Sequence, residues 1–363
     1  MPHAIAFFPW IIAKEPLKVG PIRFIPYQRN KYPGDSNLVK QTEIDGVLHT
    51  YANRPRNHVK HATLIEFGNW RSGMDADAIA PQLFRARDAI AFAAIANRRP
   101  FSRLNGYCNY DSYELVIQRY DPGHPGRFVF TTRRRDGATT QFWTSDEFAF
   151  HRPAHVDSPS YLDLDVQLLE ALVSLPHNDQ MFEAVVEFNC ANTDSRAIPE
   201  HVEVVMVKSA FEWLLGVGPE ANDLVLALSS SLESIVPSSP DKSPMKDKWY
   251  ERWSRAARPL EAWARDFCLL RGVSAHGGRR NASKAVWPAH THLLFAAFFF
   301  PLLLKKTLST KGLMTLNTFD LERLKLIDHY LCHDPFGFDW DSDDKTHPWV
   351  ELDMEARIQS SAH

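Results

Sequence analysis

Leu293 to Leu304 reads LLFAAFFFPLLL, and this stretch decides what the C-terminal half of the chain is. It is 12 apolar residues long, bounded by His292 and by Lys305-Lys306, with Pro301 inside. A membrane-spanning helix needs about 20 apolar residues, so the run predicts a buried helix in the core of a helical bundle. Extending it towards the N-terminus meets His292, His290 and Pro288. No membrane partner is expected.

The neighbouring text is helical as well. Residues 161–175, 179–191, 199–216 and 220–236 carry apolar residues at helical spacing. Pro199 suits a first helical position, and Gly216 suits a C-cap. A long aromatic-rich helix is expected from Lys248 to about Ala275, bent at Pro259 and stopped by Gly277-Gly278. Two more are expected at about 287–308 and 317–333. A Ser- and Pro-rich stretch, 229–246, reads as a loop. The tail 334–355 has eight acids and one Lys and reads as irregular.

The first 155 residues have a different texture. Residues 4–13, 21–27, 62–70, 114–120, 127–134 and 138–143 are short, β-branched or aromatic runs. Asp136-Gly137 between the last two is a hairpin signal. One main helix is expected, 75–97, ending before Pro100. The fold class that follows is α+β: an N-terminal antiparallel-sheet domain with one main helix (1–155), an all-α bundle (156–335) and an acidic tail (336–363).

Charge divides at the same place. The chain has 363 residues and a formal charge of -3. Residues 1–155 hold 21 Lys+Arg against 14 Asp+Glu, and residues 156–363 hold 20 against 30. The four cysteines form no CxxC pair, and no secretory leader is visible in MPHAIAFFPWII, so a cytoplasmic, reduced chain is expected.

The chemistry-bearing stretch is FCLLRGVSAHGG, 267–278. Arg271 and His276 lie five positions apart, about 140° around a regular helix. The spacing alone selects nothing, since Arg56/His61, Arg119/His124 and Arg196/His201 share it. Those three pairs fall in a polar stretch, across Asp121-Pro122-Gly123 and across Pro199. Only Arg271/His276 closes an apolar helix within a bundle.

Leu269-Leu-Arg271-Gly-Val-Ser-Ala-His276-Gly resembles the signature of the HEPN superfamily, helical domains associated with RNA cleavage. The likeness extends upstream to Phe188-Asn189-Cys-Ala191-Asn192 and to VEVVMVKSAFEWLL, 202–215, with Glu212 in the F/L-E-x-L-L setting of the ApeA-like branch. It covers about residues 160–335. A polar residue often follows the Arg in that family, where this chain has Gly272. The resemblance implies a metal-independent endoribonuclease, a defence or toxin effector, that works as a homodimer on RNA. It also admits a non-catalytic, dimerising RNA-binding or interaction protein.

The residues suit that chemistry. RNA is cut without metal when its own 2′-hydroxyl attacks the adjacent phosphate. His276 supplies a group that moves protons near neutral pH, and Arg271 a permanent, bidentate cation for the phosphate. Arg279, Arg280 and Lys284 follow and can guide the RNA backbone. No cofactor is expected. His329 and His333 have a legal zinc spacing, but no third ligand motif accompanies them, so no metal is expected either. Arg98, Arg99, Arg103 and Arg133 to Arg135, interleaved with Tyr107, Tyr110, Tyr113 and Tyr120, offer a weaker RNA-holding face. Core tyrosines and a solvated turn are the plainer alternative.

Overall fold

The computed structural model describes residues 3–31, 38–101, 109–126, 129–131, 136–137, 141–143, 149–156, 159–238, 246–276, 285–337 and 346–361. Side chains of 129–131, 141–143, 246–247 and 273–276 lie outside that description. The fold is α+β: an N-terminal antiparallel-sheet region and a C-terminal helical region. The chain divides into two compact units. Met1–Ile95 with Leu104–Val173 form one, and Ala96–Arg103 with Ser174–His363 form the other.

The first unit is built on β1 (His3–Phe8), β2 (Ile11–Ile12), β3 (Leu17–Val19), β4 (Ile22–Gln28), β5 (Tyr51–Arg54), β6 (Asn57–His58), β7 (His61–Phe67) and β8 (Val116–Tyr120). Its main sheet has the order β3-β4-β7-β1-β8, antiparallel throughout. The register places Phe7 opposite Leu64 and Leu64 opposite Ile25. Alternation sends Ile5, Phe7, Ile25, Tyr27, Ala62, Leu64 and Tyr120 to one face. There they pack with Ile44, Val47 and Leu48 of helix α1 (Gln41–Leu48). The alternate residues Ala4, Ala6, Phe8, Phe24 and Ile65 are also fully buried. A sheet buried on both faces explains why these strands read as continuous apolar runs.

The expected hairpin is present as β9 (Val129–Thr131) and β10 (Gln141–Trp143), antiparallel, with Gly137 at φ +79 in the turn. Two short strands, β11 (Phe150–His151) and β12 (Ser160–Tyr161), add parallel pairings to β5 and β2. The expected main helix is α2 (Ala80–Ile95), but α1 is a second helix that sequence reading left out. Its eight residues include Gln41, Thr42, Glu43, Asp45 and Gly46, which hide the apolar stripe of Ile44, Val47 and Leu48. Helix α3 (Val166–Ser174) closes the unit.

The second unit is helical. It contains α4 (Gln180–Ala191), α5 (Glu200–Leu215), α6 (Ala221–Ser231), α7 (Lys246–Arg252), α8 (Pro259–His276), α9 (Ala289–Thr310), α10 (Thr318–Lys325), α11 (Ile327–Leu331) and α12 (Pro348–Ser361). Asp179 caps α4 by accepting from Met181 N at 2.8 Å. Gly216 ends α5 in the left-handed region, φ +65, which favours glycine.

Three helical expectations are corrected. The long helix from Lys248 is two helices, because Pro259 starts α8 as its first residue rather than bending a continuous one. The helix over 317–333 breaks at Leu326, φ −88 and ψ 7, into α10 and α11. The tail is not irregular over 348–361: α12 docks there through Trp349, whose Nε1 donates to Tyr330 O at 3.0 Å.

The opening stretch lies in α9, which carries Pro301 inside it. This helix is long and apolar enough to cross a membrane by length and composition alone. Its rings pack within the unit: Phe300 stacks on Phe188 at 4.5 Å, and Phe295 meets Trp263 at 4.8 Å. At its C-terminal end buried Lys305 pairs with Asp320 of α10 at 2.8 Å.

Candidate functional site

The site begins with helix α8. Its start is fixed from two directions. Asp328 of α11 accepts from Leu260 N at 3.0 Å and from Arg258 Nε at 2.7 Å. Glu261 reaches back to Ala257 N at 2.9 Å, satisfying another free amide. Burial raises the Asp328 carboxyl above its ordinary value, and Arg258 and Leu260 N oppose that shift. From this anchor the 18 residues of α8 run to His276.

Two sides of α8 differ in chemistry. Towards α5, Cys268 lies within electrostatic reach of Lys208, Glu212, Arg271 and Arg265. Lys208 is fully buried and bonds to Glu212 one turn along α5. Burial pushes the Cys268 thiol up to about 11, a shift that Glu212 adds to and Lys208, Arg271 and Arg265 oppose. The thiol is therefore protonated at neutral pH and a poor nucleophile. Phe211 of α5 bridges to Trp263 and Phe267 of α8 at 5.8 and 6.2 Å.

Towards α9, Asp266 is fully buried. It accepts from Trp253 Nε1, Val286 N and Trp287 N at 2.9, 2.9 and 3.1 Å. His292 Nε2 completes the set at 3.1 Å. His292 is itself fully buried, and its Nδ1 has no hydrogen-bond partner among the described residues. Burial lowers the His292 pKa, against the pull of Asp266, so the ring is neutral with its proton on Nε2.

Arg271 is partly buried on α8, and its Nε is enclosed with no hydrogen-bond partner among the described residues. This contrasts with Arg258 and Arg323, each held by a carboxylate, Asp328 and Asp353. His276 is the last residue of α8. The backbone stays helical that far, so the two positions remain about 140° apart around the axis rather than converging in an unwound turn. The His276 side chain lies outside the described residues, as do Arg279, Arg280 and Lys284. Gly272 sits within the helix, and a Cβ there would meet nothing within 4 Å.

No family model, curated protein or solved structure matches the chain.

The weaker sequence signals resolve as follows. His329 Nε2 bonds to Ser238 Oγ at 3.1 Å, and burial lowers the His333 pKa. Among the described residues no group of three or more His, Cys, Asp or Glu could hold a metal ion. Arg98 bonds to Asn192 at 2.9 Å within the helical unit, while Arg103 and Arg133 to Arg135 lie outside the described residues. The described tyrosines are engaged within the fold. Tyr113 and Tyr120 are buried, Tyr120 donates to Glu43 at 3.1 Å, and Tyr110 donates to Asp88 at 2.6 Å. Tyr107 is outside the described residues.

Sequence reading missed Asp266 and Lys208. The available signal was a charge bordering or inside apolar text, Asp266 (after Arg265) before Phe267-Cys-Leu-Leu and Lys208 within VVMVKSAF. A charge so placed must either point to solvent or find a buried partner.

Proposed function

We propose that the chain is a metal-independent endoribonuclease of HEPN type, acting as a homodimer on RNA. The observation that supports this best is the partly buried Arg271, whose Nε has no partner among the described residues, one turn and a half before His276 at the end of α8. Among the described residues no carboxylate pairs with the guanidinium in the manner of Arg258 and Arg323. It takes the scissile phosphate, and His276 moves the proton of the attacking 2′-hydroxyl. The 2′ oxygen bonds to phosphorus as the P–O5′ bond breaks, and the proton that His276 took from the 2′-hydroxyl passes on, through water, to the leaving O5′, giving a 2′,3′-cyclic phosphate and a 5′-hydroxyl. Because Arg271 and His276 diverge around one helix, a cleft composed from two copies suits them better than one within a single copy. Arg279, Arg280 and Lys284 hold the neighbouring backbone in this reading.

The test uses purified chain, end-labelled RNA and excess chelator. Wild type cuts RNA and leaves DNA of the same sequence whole, since DNA lacks the 2′-hydroxyl. His276→Ala slows cutting by about 10²–10⁴-fold, the usual contribution of general acid–base catalysis. Equal rates in the two proteins, or cutting of the DNA, sink the proposal. Tight RNA binding without cleavage, unaffected by Arg271→Ala, supports the dimerising binding protein instead; Gly272 in place of a polar residue is the feature that favours it.

A further inference from the structure

Asp266 collects partners from separate stretches of chain. Trp253 precedes α8, Val286 and Trp287 precede α9, and His292 lies in the first turn of α9. All four donors sit on one fully buried carboxylate, five residues before Arg271. Three of them are neutral N–H groups, and the fourth, His292, meets the carboxylate through Nε2 with no hydrogen-bond partner at Nδ1 among the described residues.

Such a group is a costly way to gain stability alone. An apolar pair of similar volume would fill the same space without desolvating a charge. What a fully satisfied buried network gives is a single geometry. Here that geometry is the placement of the start of α9, and of the segment before α8, against the part of α8 that leads into Arg271 and His276.

We propose that Asp266 is a positioning residue of the cleavage site: by holding Trp253, Val286, Trp287 and His292 on one carboxylate, it fixes the middle of α8, five residues before Arg271, against the start of α9. The inference rests on the ribonuclease reading above. Near-attack geometry is sensitive to shifts of about 1 Å, which can cost about 10²-fold in rate. A residue that sets geometry without touching RNA should therefore act on the rate of the chemical step and not on RNA affinity.

The experiment compares wild type with Asp266→Asn and Trp253→Phe in the 363-residue chain. Single-turnover cleavage of labelled RNA gives the rate. Titration with the same RNA carrying a 2′-deoxy substitution at the cut site gives affinity and the fraction of competent binding sites. Asp266→Asn should lower the rate per competent site at least 10-fold, with affinity within 2-fold of wild type. Trp253→Phe, which removes one donor and keeps the carboxylate, should lower it about 3-fold. A merely structural role would remove binding sites and rate together and leave the rate per site unchanged, and that result overturns the inference. If Asp266→Asn does not fold, the Trp253→Phe rate decides. A wild type that cuts no RNA overturns the ribonuclease reading and this inference with it. A wild type that cuts, with both variants cutting equally fast per site, overturns this inference alone.

Discussion

His292 gives the helical unit a definite acid sensitivity. Its folded pKa is lowered, first by burial, with Asp266 opposing. The unfolded chain therefore binds the proton more readily than the folded one. The stability this contributes is fully present above about pH 6.5, the ordinary histidine value, and is lost as pH falls below it. The loss approaches about 1.4 kcal/mol per pH unit while the folded ring stays neutral. Urea denaturation at pH 7.0 and pH 5.5 should show it, and His292→Gln should show a shallower fall. His333 and His347 are also lowered by burial. They add the same sign in both proteins and cancel from the comparison. Equal pH slopes in wild type and variant would refute the assignment of a neutral buried ring.

At the scale of elements, α8 is the piece whose local rules and proposed role can be separated. Gly272 lies inside it, with open space where a Cβ would stand. Among the described residues nothing in the packing demands glycine there. Gly272→Ala should stabilise the protein by about 0.5–1 kcal/mol, because glycine loses more backbone freedom in a helix than alanine. Thermal unfolding measures this, and a destabilised variant would mean that this position departs from helix. The same helix shows what sequence can and cannot reveal. Its apolar face, its proline start and its Gly-Gly stop are local signals, and they set its end within a residue or two. The break before Pro259 was also local, but a proline fits a bend or a first turn equally well. Asp266 was not legible. Its donors lie 13, 20, 21 and 26 residues away, and only the packed bundle brings them to one carboxylate. Helix α12 was hidden for a related reason. Its surroundings are acidic, and its docking depends on Trp349, on Asp353 with Arg323, and on His347, which caps Trp349 N through Nδ1 at 3.1 Å.

The whole chain is not a simple concatenation of two halves. The helical unit runs from Ser174 to His363 but also includes Ala96–Arg103, which follows α2 directly in sequence. Composition marks the change of texture near residue 155 and says nothing about a short segment that packs with a distant partner. That segment is held by specific contacts: Arg98 bonds to Asn192 at 2.9 Å, and the Phe101 ring lies 3.9 Å from His347 and 6.1 Å from Trp349. Phe101 has φ +48, a left-handed conformation that costs a non-glycine residue about 1–2 kcal/mol and persists only where packing imposes it. A fragment beginning at Ser174 lacks all of this. One lost hydrogen bond and one lost aromatic contact remove about 1–3 kcal/mol. For a unit of this size that corresponds to roughly 2–12 °C in melting temperature. The fragment should therefore melt below the helical transition of the intact chain, as followed by circular dichroism at 222 nm. Phe101→Ala in the intact chain should move that transition in the same direction by a smaller amount. Equal melting of fragment and intact chain would show that Ala96–Arg103 adds nothing to the helical unit. The boundary would then belong after α3.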